Sequence, residues 1–106
     1  MENFEQIREW AESKGIYKSG DVKTQTVKLM EEAGELAKSI MKNDEEEFVD
    51  AIGDCMIVLV SIAELGNKYF KTTRRITAED CLETAYNVIA KRTGKMVEGT
   101  FVKDDK

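Results

Sequence analysis

Apolar residues recur every three or four positions along most of this chain, and strand-like alternation is scarce. That period predicts amphipathic helices. The first covers Glu2 to Ser13, with Phe4, Ile7, Trp10 and Ala11 as its buried stripe. Gly15 and Lys18-Ser-Gly-Asp21 then read as a loop. A second helix runs from Val22 to Lys42 on the stripe Val22, Thr26, Leu29, Ala33, Leu36 and Ile40. Asn43-Asp44 breaks it, and Asp44 is placed to cap the next helix with Glu47 three positions on. The third helix spans Glu45 to Leu65, with Gly66 as its expected stop. Its second half is apolar all round and needs cover on several sides, which a second subunit would supply. A basic connector, Asn67 to Ile76, leads to a fourth helix. Thr77-Ala-Glu-Asp80 resembles a capping box, and the helix runs to Arg92 with Ala78, Leu82, Ala85 and Ile89 facing inward. Glu98-Gly99 could close a small hairpin in the tail. The expected fold is all-α: four helices in one domain, residues 1–106, completed by oligomerisation.

Composition narrows the function classes. The chain has 106 residues and no proline, and 35% of its residues are charged. Its net charge of −5 argues against a general binder of nucleic-acid polymers, which needs a basic footprint. No apolar run approaches membrane length, and the first turn is acidic rather than signal-like. The expectation is a cytoplasmic protein without a membrane contact. Cys55 and Cys81 have no C-x-x-C spacing and read as reduced, buried thiols.

The acidic residues carry the chemical information. Glu31-Glu32-Ala-Gly-Glu35 lies on the second helix and Asp50-Ala-Ile-Gly-Asp54 on the third. Glu31, Glu32 and Glu35 share one arc beside the apolar stripe, and Asp50 and Asp54 share a face. The short break at Asn43-Asp44 makes the two helices antiparallel neighbours. Counting outward from it sets Glu32 and Glu35 opposite Ile52 to Asp54, with Asp50 about one turn away. Glu47 falls level with Ile40, on the order of 10 Å down the helix and out of reach. A solvated acidic face explains Glu45, Glu46 and Glu47, where negative charge also favours the helix dipole. It explains Asp54 poorly, because a nearly unbroken apolar run follows it. A carboxylate there is desolvated, which is costly unless a cation pairs with it. The chain has no histidine. Oxygen-only ligands suit a hard cation, Mg²⁺ first.

Candidate cations lie further along. Asn87, Lys91 and Lys95 repeat every four residues, with Arg92 beside them. Lys91 and Arg92 have a plain alternative role, complementing a helix C-terminus. Lys28 sits one turn before Glu32, either joining them or simply pairing with Glu32. Trp10 and Tyr17 read as packing residues or as a base-stacking platform.

With these residues in view the chain resembles the MazG-like nucleoside triphosphate pyrophosphohydrolases, and its length and ending look most like the small phage-borne members. Gln25-Thr-Val-Lys-Leu-Met-Glu-Glu-Ala-Gly-Glu-Leu-Ala37 fits the family's E-E-x-x-E helix. Ile52-Gly-Asp54 and the apolar run after it fit the end of its E-x-x-D helix. Ala85-Tyr-Asn87 leading to Lys91-Arg92 resembles its phosphate-contacting segment. One departure stands out: the family pattern puts Glu at position 51, where this chain has Ala51. A literal E-x-x-D occurs at Glu47-Phe-Val-Asp50, but the hairpin count favours Asp50, paired with Asp54, as the substitute.

The resemblance implies Mg²⁺-dependent hydrolysis of a (deoxy)nucleoside triphosphate to the monophosphate and pyrophosphate, with Mn²⁺ as a possible substitute. It implies Glu32, Glu35, Asp50 and Asp54 as metal ligands, and Glu31 or Glu35 as the group that orients or deprotonates the attacking water. Lys91, Arg92, Lys95, Asn87 and Lys28 would meet the substrate's phosphates or sugar, and Trp10 its base. A homodimer or homotetramer is expected. The rival is a non-catalytic helical module that binds nucleotide for regulation, which Ala51 favours. A di-iron carboxylate bundle would need Glu-x-x-His motifs, which a chain without histidine cannot provide.

Overall fold

Two long helices form the body, and their ends are set by side chains. A computed structural model of the chain describes residues 3–104. Helix α3, Val22–Met41, starts where Asp21 accepts a hydrogen bond from the Thr24 amide. Helix α4, Glu45–Phe70, starts where Asp44 accepts from the Glu47 amide. Between them Asn43 takes a left-handed φ of 57°, which reverses the chain within a few residues. The two helices are therefore antiparallel and make the most extensive packing in the molecule. Two shorter helices precede them: α1, Asn3–Ser13, and α2, Ile16–Ser19, both packed on α4. Helix α5, Ala78–Ile89, and the antiparallel strands β1, Gly94–Val97, and β2, Thr100–Lys103, follow. The fold is all-α with a small C-terminal hairpin.

The starts of the elements match the sequence reading, and the Thr77/Asp80 box closes reciprocally. The hairpin turns on Glu98 and Gly99, with φ of 48° and 83°, the pair of left-handed residues that a tight two-residue turn requires. Several ends differ. Helix α4 does not stop at Leu65; Gly66 lies inside it, and Lys71 takes the left-handed cap. The stop comes from Asn67, whose Nδ2 donates to the Ile76 carbonyl at 2.7 Å while its Oδ1 accepts from the Ile76 amide at 2.7 Å. The connector is thereby folded back and helix growth ends. Helix α5 ends at Ile89, so Lys91 and Arg92 lie in the turn beyond it. Gly94 begins a strand. The short helix α2 occupies what reads as loop in the sequence, and Glu2 lies outside the described residues.

The core is small: Ala11, Ala51, Val58, Val60 and Leu65, with Ser39 and Ser61. The expected stripe of α3 is only partly buried. Leu29 and Leu36 are half-buried, whereas Thr26, Ala33 and Ile40 are exposed. Trp10 is likewise half-exposed rather than buried, and Arg8 takes a place in the interior of the α1 stripe. Leu82, Ala85 and Ile89 of α5 face solvent in this chain, and Cys81 is exposed rather than buried.

Arg8 replaces an apolar anchor by an ionic one. Its Nη1 and Nη2 donate to the two carboxylate oxygens of Glu79 at 2.7 and 2.6 Å, and its Nε donates to Glu5 at 2.7 Å. Glu64 lies 3.8 Å from the same Nε and takes a second pairing from Arg75. This network ties the first turn of α5 to α1 and α4. Among the described residues no helix is long and apolar enough to cross a membrane.

Candidate active site

The α3–α4 contact line carries a carboxylate. Gln25, Leu29, Glu32, Leu36 and Ser39 follow one another at helical spacing, and each is at least half-buried. Glu32 therefore sits among residues that pack, with its side chain only 13% exposed. Its Oε1 lies 3.6 Å from the Lys28 ammonium. Its Oε2 is buried and has no hydrogen-bond partner. A buried carboxylate oxygen without a partner is costly, and a cation is the natural remedy.

Across the helix pair stands Asp54, half-buried. Burial first, then the charges of Asp50 and Glu32, push its carboxyl above the usual range, and Lys28 pulls the other way. Glu35 is exposed, and its carboxyl is also raised, first by the Glu32 charge, then by desolvation, then by Glu47 and Asp54. Mutual repulsion thus links Glu32, Glu35, Asp50 and Asp54, the four residues picked out in the sequence. Glu31 and Asp50 are exposed at the margin.

The charge of Glu47 also bears on Glu35 and raises its carboxyl, so Glu47 is not electrically isolated from the cluster. The axial gap of about 8 Å is within reach of two long, exposed glutamate side chains. Both ends of Glu47-Phe-Val-Asp50 therefore border the cluster. Ala51 is buried in the core at 2% exposure and adds no carboxylate.

Among the described residues no group of three or more acidic or cysteine side chains has the spacing of a formed metal site. The donor set nevertheless fits a hard divalent cation. All candidate donors are oxygens, one of them is buried without a partner, and their charges oppose one another.

Asp54 also lines an apolar groove of about 590 Å³ with Phe4, Ile7, Trp10, Met56 and Ile57. That volume lies within the range of small-molecule sites. Trp10, half-exposed, thus shares a cavity with a cluster carboxylate. The other candidates stand elsewhere. Asn87, Lys91, Arg92 and Lys95 are all exposed, on or beyond α5, and Lys28 pairs with Glu32.

An all-α fold built on an acidic helix hairpin defines a class, and comparison with known proteins gives the family. Residues 21–97 match the family model of the MazG nucleotide pyrophosphohydrolase domain. The chain belongs to that family. A relative in Haemophilus phage HP1, described as an uncharacterized 18.2 kDa protein in the rep-hol intergenic region, is 40% identical over 58 residues. The match takes in 55% of this chain and 36% of the relative, so the chain spans about a third of that protein. No solved structure matches the chain.

Proposed function

We propose that this protein hydrolyses a (deoxy)nucleoside triphosphate to the monophosphate and pyrophosphate with Mg²⁺, Mn²⁺ serving as a substitute. The observation that carries the reading is the unpartnered, buried Oε2 of Glu32 across from a half-buried Asp54, at the edge of the Trp10 groove. Glu32, Glu35 and Asp54 hold the cation, with Asp50 as the fourth ligand. A bound divalent ion would neutralise charge on the phosphate oxygens and acidify a water. Glu31 or Glu35 orients that water and accepts its proton. Trp10 stacks on the base. Lys91, Arg92, Lys95 and Asn87 receive the phosphates, and Lys28 either joins them or stays with Glu32.

The test is a panel of common NTPs and dNTPs with Mg²⁺, reading the monophosphate formed, repeated with Mn²⁺ and with chelator. Monophosphate from at least one nucleotide, abolished by chelator, is expected. Nucleotide binding without turnover would instead support the non-catalytic regulatory module, the reading that Ala51 favours.

A further inference from the structure

Two side chains break the apolar lining of the Asp54 groove. Among the described residues around it, Phe4, Ile7, Trp10, Met56 and Ile57 are apolar or aromatic, and Gly53 has no side chain. Apart from the indole N–H of Trp10, polar side-chain atoms come from Asp54 and Gln6 alone. Asp54 is given to the cation, which leaves Gln6, exposed on α1, for the rest of a substrate.

The backbone at Gly53 also points to a ligand in this groove. Gly53 lies well inside α4, where glycine weakens a helix relative to alanine. A Cβ there would meet nothing within 4 Å, so packing within the chain gives no reason for the bare Cα. Gly34 and Gly66 are equally open, but neither lines this groove. At Gly53 the open space borders the groove, and bare backbone is what allows a ligand to approach a helix closely.

A nucleotide base suits such a lining. Phe4 and Trp10 supply aromatic surface, on which any base can stack. Stacking carries no hydrogen-bond information, whereas a carboxamide offers an acceptor and a donor side by side. Cytosine and adenine present an amino donor next to a ring-nitrogen acceptor. Uracil, thymine and guanine present a carbonyl acceptor next to a ring N–H donor. A glutamine amide meets either pattern with two hydrogen bonds by turning over about its last side-chain bond. We infer that Gln6 reads the Watson–Crick edge of the substrate base above the bare floor at Gly53. Because one amide serves both patterns, the substrate class is the nucleoside triphosphates of amino and keto bases alike. The inference rests on the hydrolase reading for the place of Asp54 and adds the base preference to it.

Gln6→Glu tests it with a side chain of the same size, near the start of α1, where negative charge suits the helix dipole. A carboxylate only accepts. It keeps two hydrogen bonds with guanine, through N1–H and the 2-amino group, and sets a lone pair against an acceptor of every other base. Calorimetric titration with the α,β-imido triphosphates of guanine, adenine, cytosine and uracil, in Mg²⁺, reads the affinities without turnover. Wild type should hold all four within about tenfold of one another. Gln6→Glu should move the guanine-to-cytosine affinity ratio toward guanine by roughly tenfold or more, the scale of one bidentate pair. An unmoved ratio overturns the inference, and so does a wild type that already prefers one base by roughly a hundredfold. Gly53→Ala should melt higher than wild type yet bind all four probes roughly tenfold more weakly. Wild-type affinity in that variant, or a changed mass by light scattering, overturns the role of Gly53 as the floor. Probe binding without turnover of the natural triphosphates would count against the hydrolase reading, while the affinity ratio still decides the role of Gln6. A wild type that binds none of the four probes overturns both.

Discussion

Replacing Arg8 with methionine isolates the ionic anchor at the start of α5. The substitution keeps an apolar stem in the α1 stripe and removes the guanidinium that holds Glu79, Glu5 and Glu64. The magnitude follows from Glu79, whose carboxyl Arg8 holds at about 2 against an ordinary 4.5. A difference of roughly 2.5 in pKa corresponds to a ceiling of roughly 3.4 kcal/mol. The Glu79 side chain is 49% exposed, so solvent screening reduces the expected loss at pH 7 to about 1–2 kcal/mol. Because the folded-state value is depressed, this contribution is complete above pH 4.5 and disappears as pH falls through about 2. The gap between wild type and Arg8→Met should therefore narrow by about half at pH 3. Urea unfolding of both proteins at pH 7 and pH 3 measures it. A gap equally large at both pH values, or none at pH 7, would refute the assignment of the Glu79 shift to Arg8.

Asp54→Asn removes a charge that burial and two neighbouring carboxylates disfavour, so in chelator it should melt a few degrees above wild type, for about 1 kcal/mol. Mg²⁺ should then raise the melting temperature of wild type and leave the variant unmoved; a lower melting temperature for the variant in chelator would contradict the account. Asp50→Asn should cut activity by orders of magnitude and raise the Mg²⁺ requirement, with a smaller effect of the same sign in Glu47→Gln, whose charge bears on Glu35. Mg²⁺ titration of initial rates separates the two, and an unaltered Asp50→Asn would remove Asp50 from the site. Trp10 is the sole tryptophan and lines the groove, so its fluorescence should change when nucleotide binds. Trp10→Ala should raise KM roughly tenfold, the scale of one lost base stack, with an unchanged far-UV spectrum. Unchanged KM would place the base elsewhere.

Helix starts were legible in the sequence because each rests on one local residue: Asp21, Asp44 or Thr77 accepting an amide three positions on. The end of α4 was not, because Asn67 stops it by bonding to Ile76, nine residues away. That Glu32, Glu35, Asp50 and Asp54 lie near enough to repel one another was legible from spacing, since a short hairpin fixes which faces of two helices meet. The influence of Glu47 on Glu35 was not legible, because counting along an axis ignores the length of the side chain. Arg8 was missed, although the signal was there: it lies four residues after Phe4, a charge on an otherwise apolar stripe. The apolar period of α5 was correctly seen, but a period says only that a face needs cover. What covers it depends on where the connector sends the helix, and that direction is set by the Asn67 and Arg8 contacts.

The central claim is that the acidic hairpin directs water to the bond between the α- and β-phosphates. Following the reaction of a preferred nucleotide with Mg²⁺ by ³¹P NMR resolves both products. The account predicts nucleoside monophosphate and pyrophosphate rising together in equal amounts, with no early orthophosphate. Orthophosphate as the sole primary product, with nucleoside diphosphate beside it, would contradict the account.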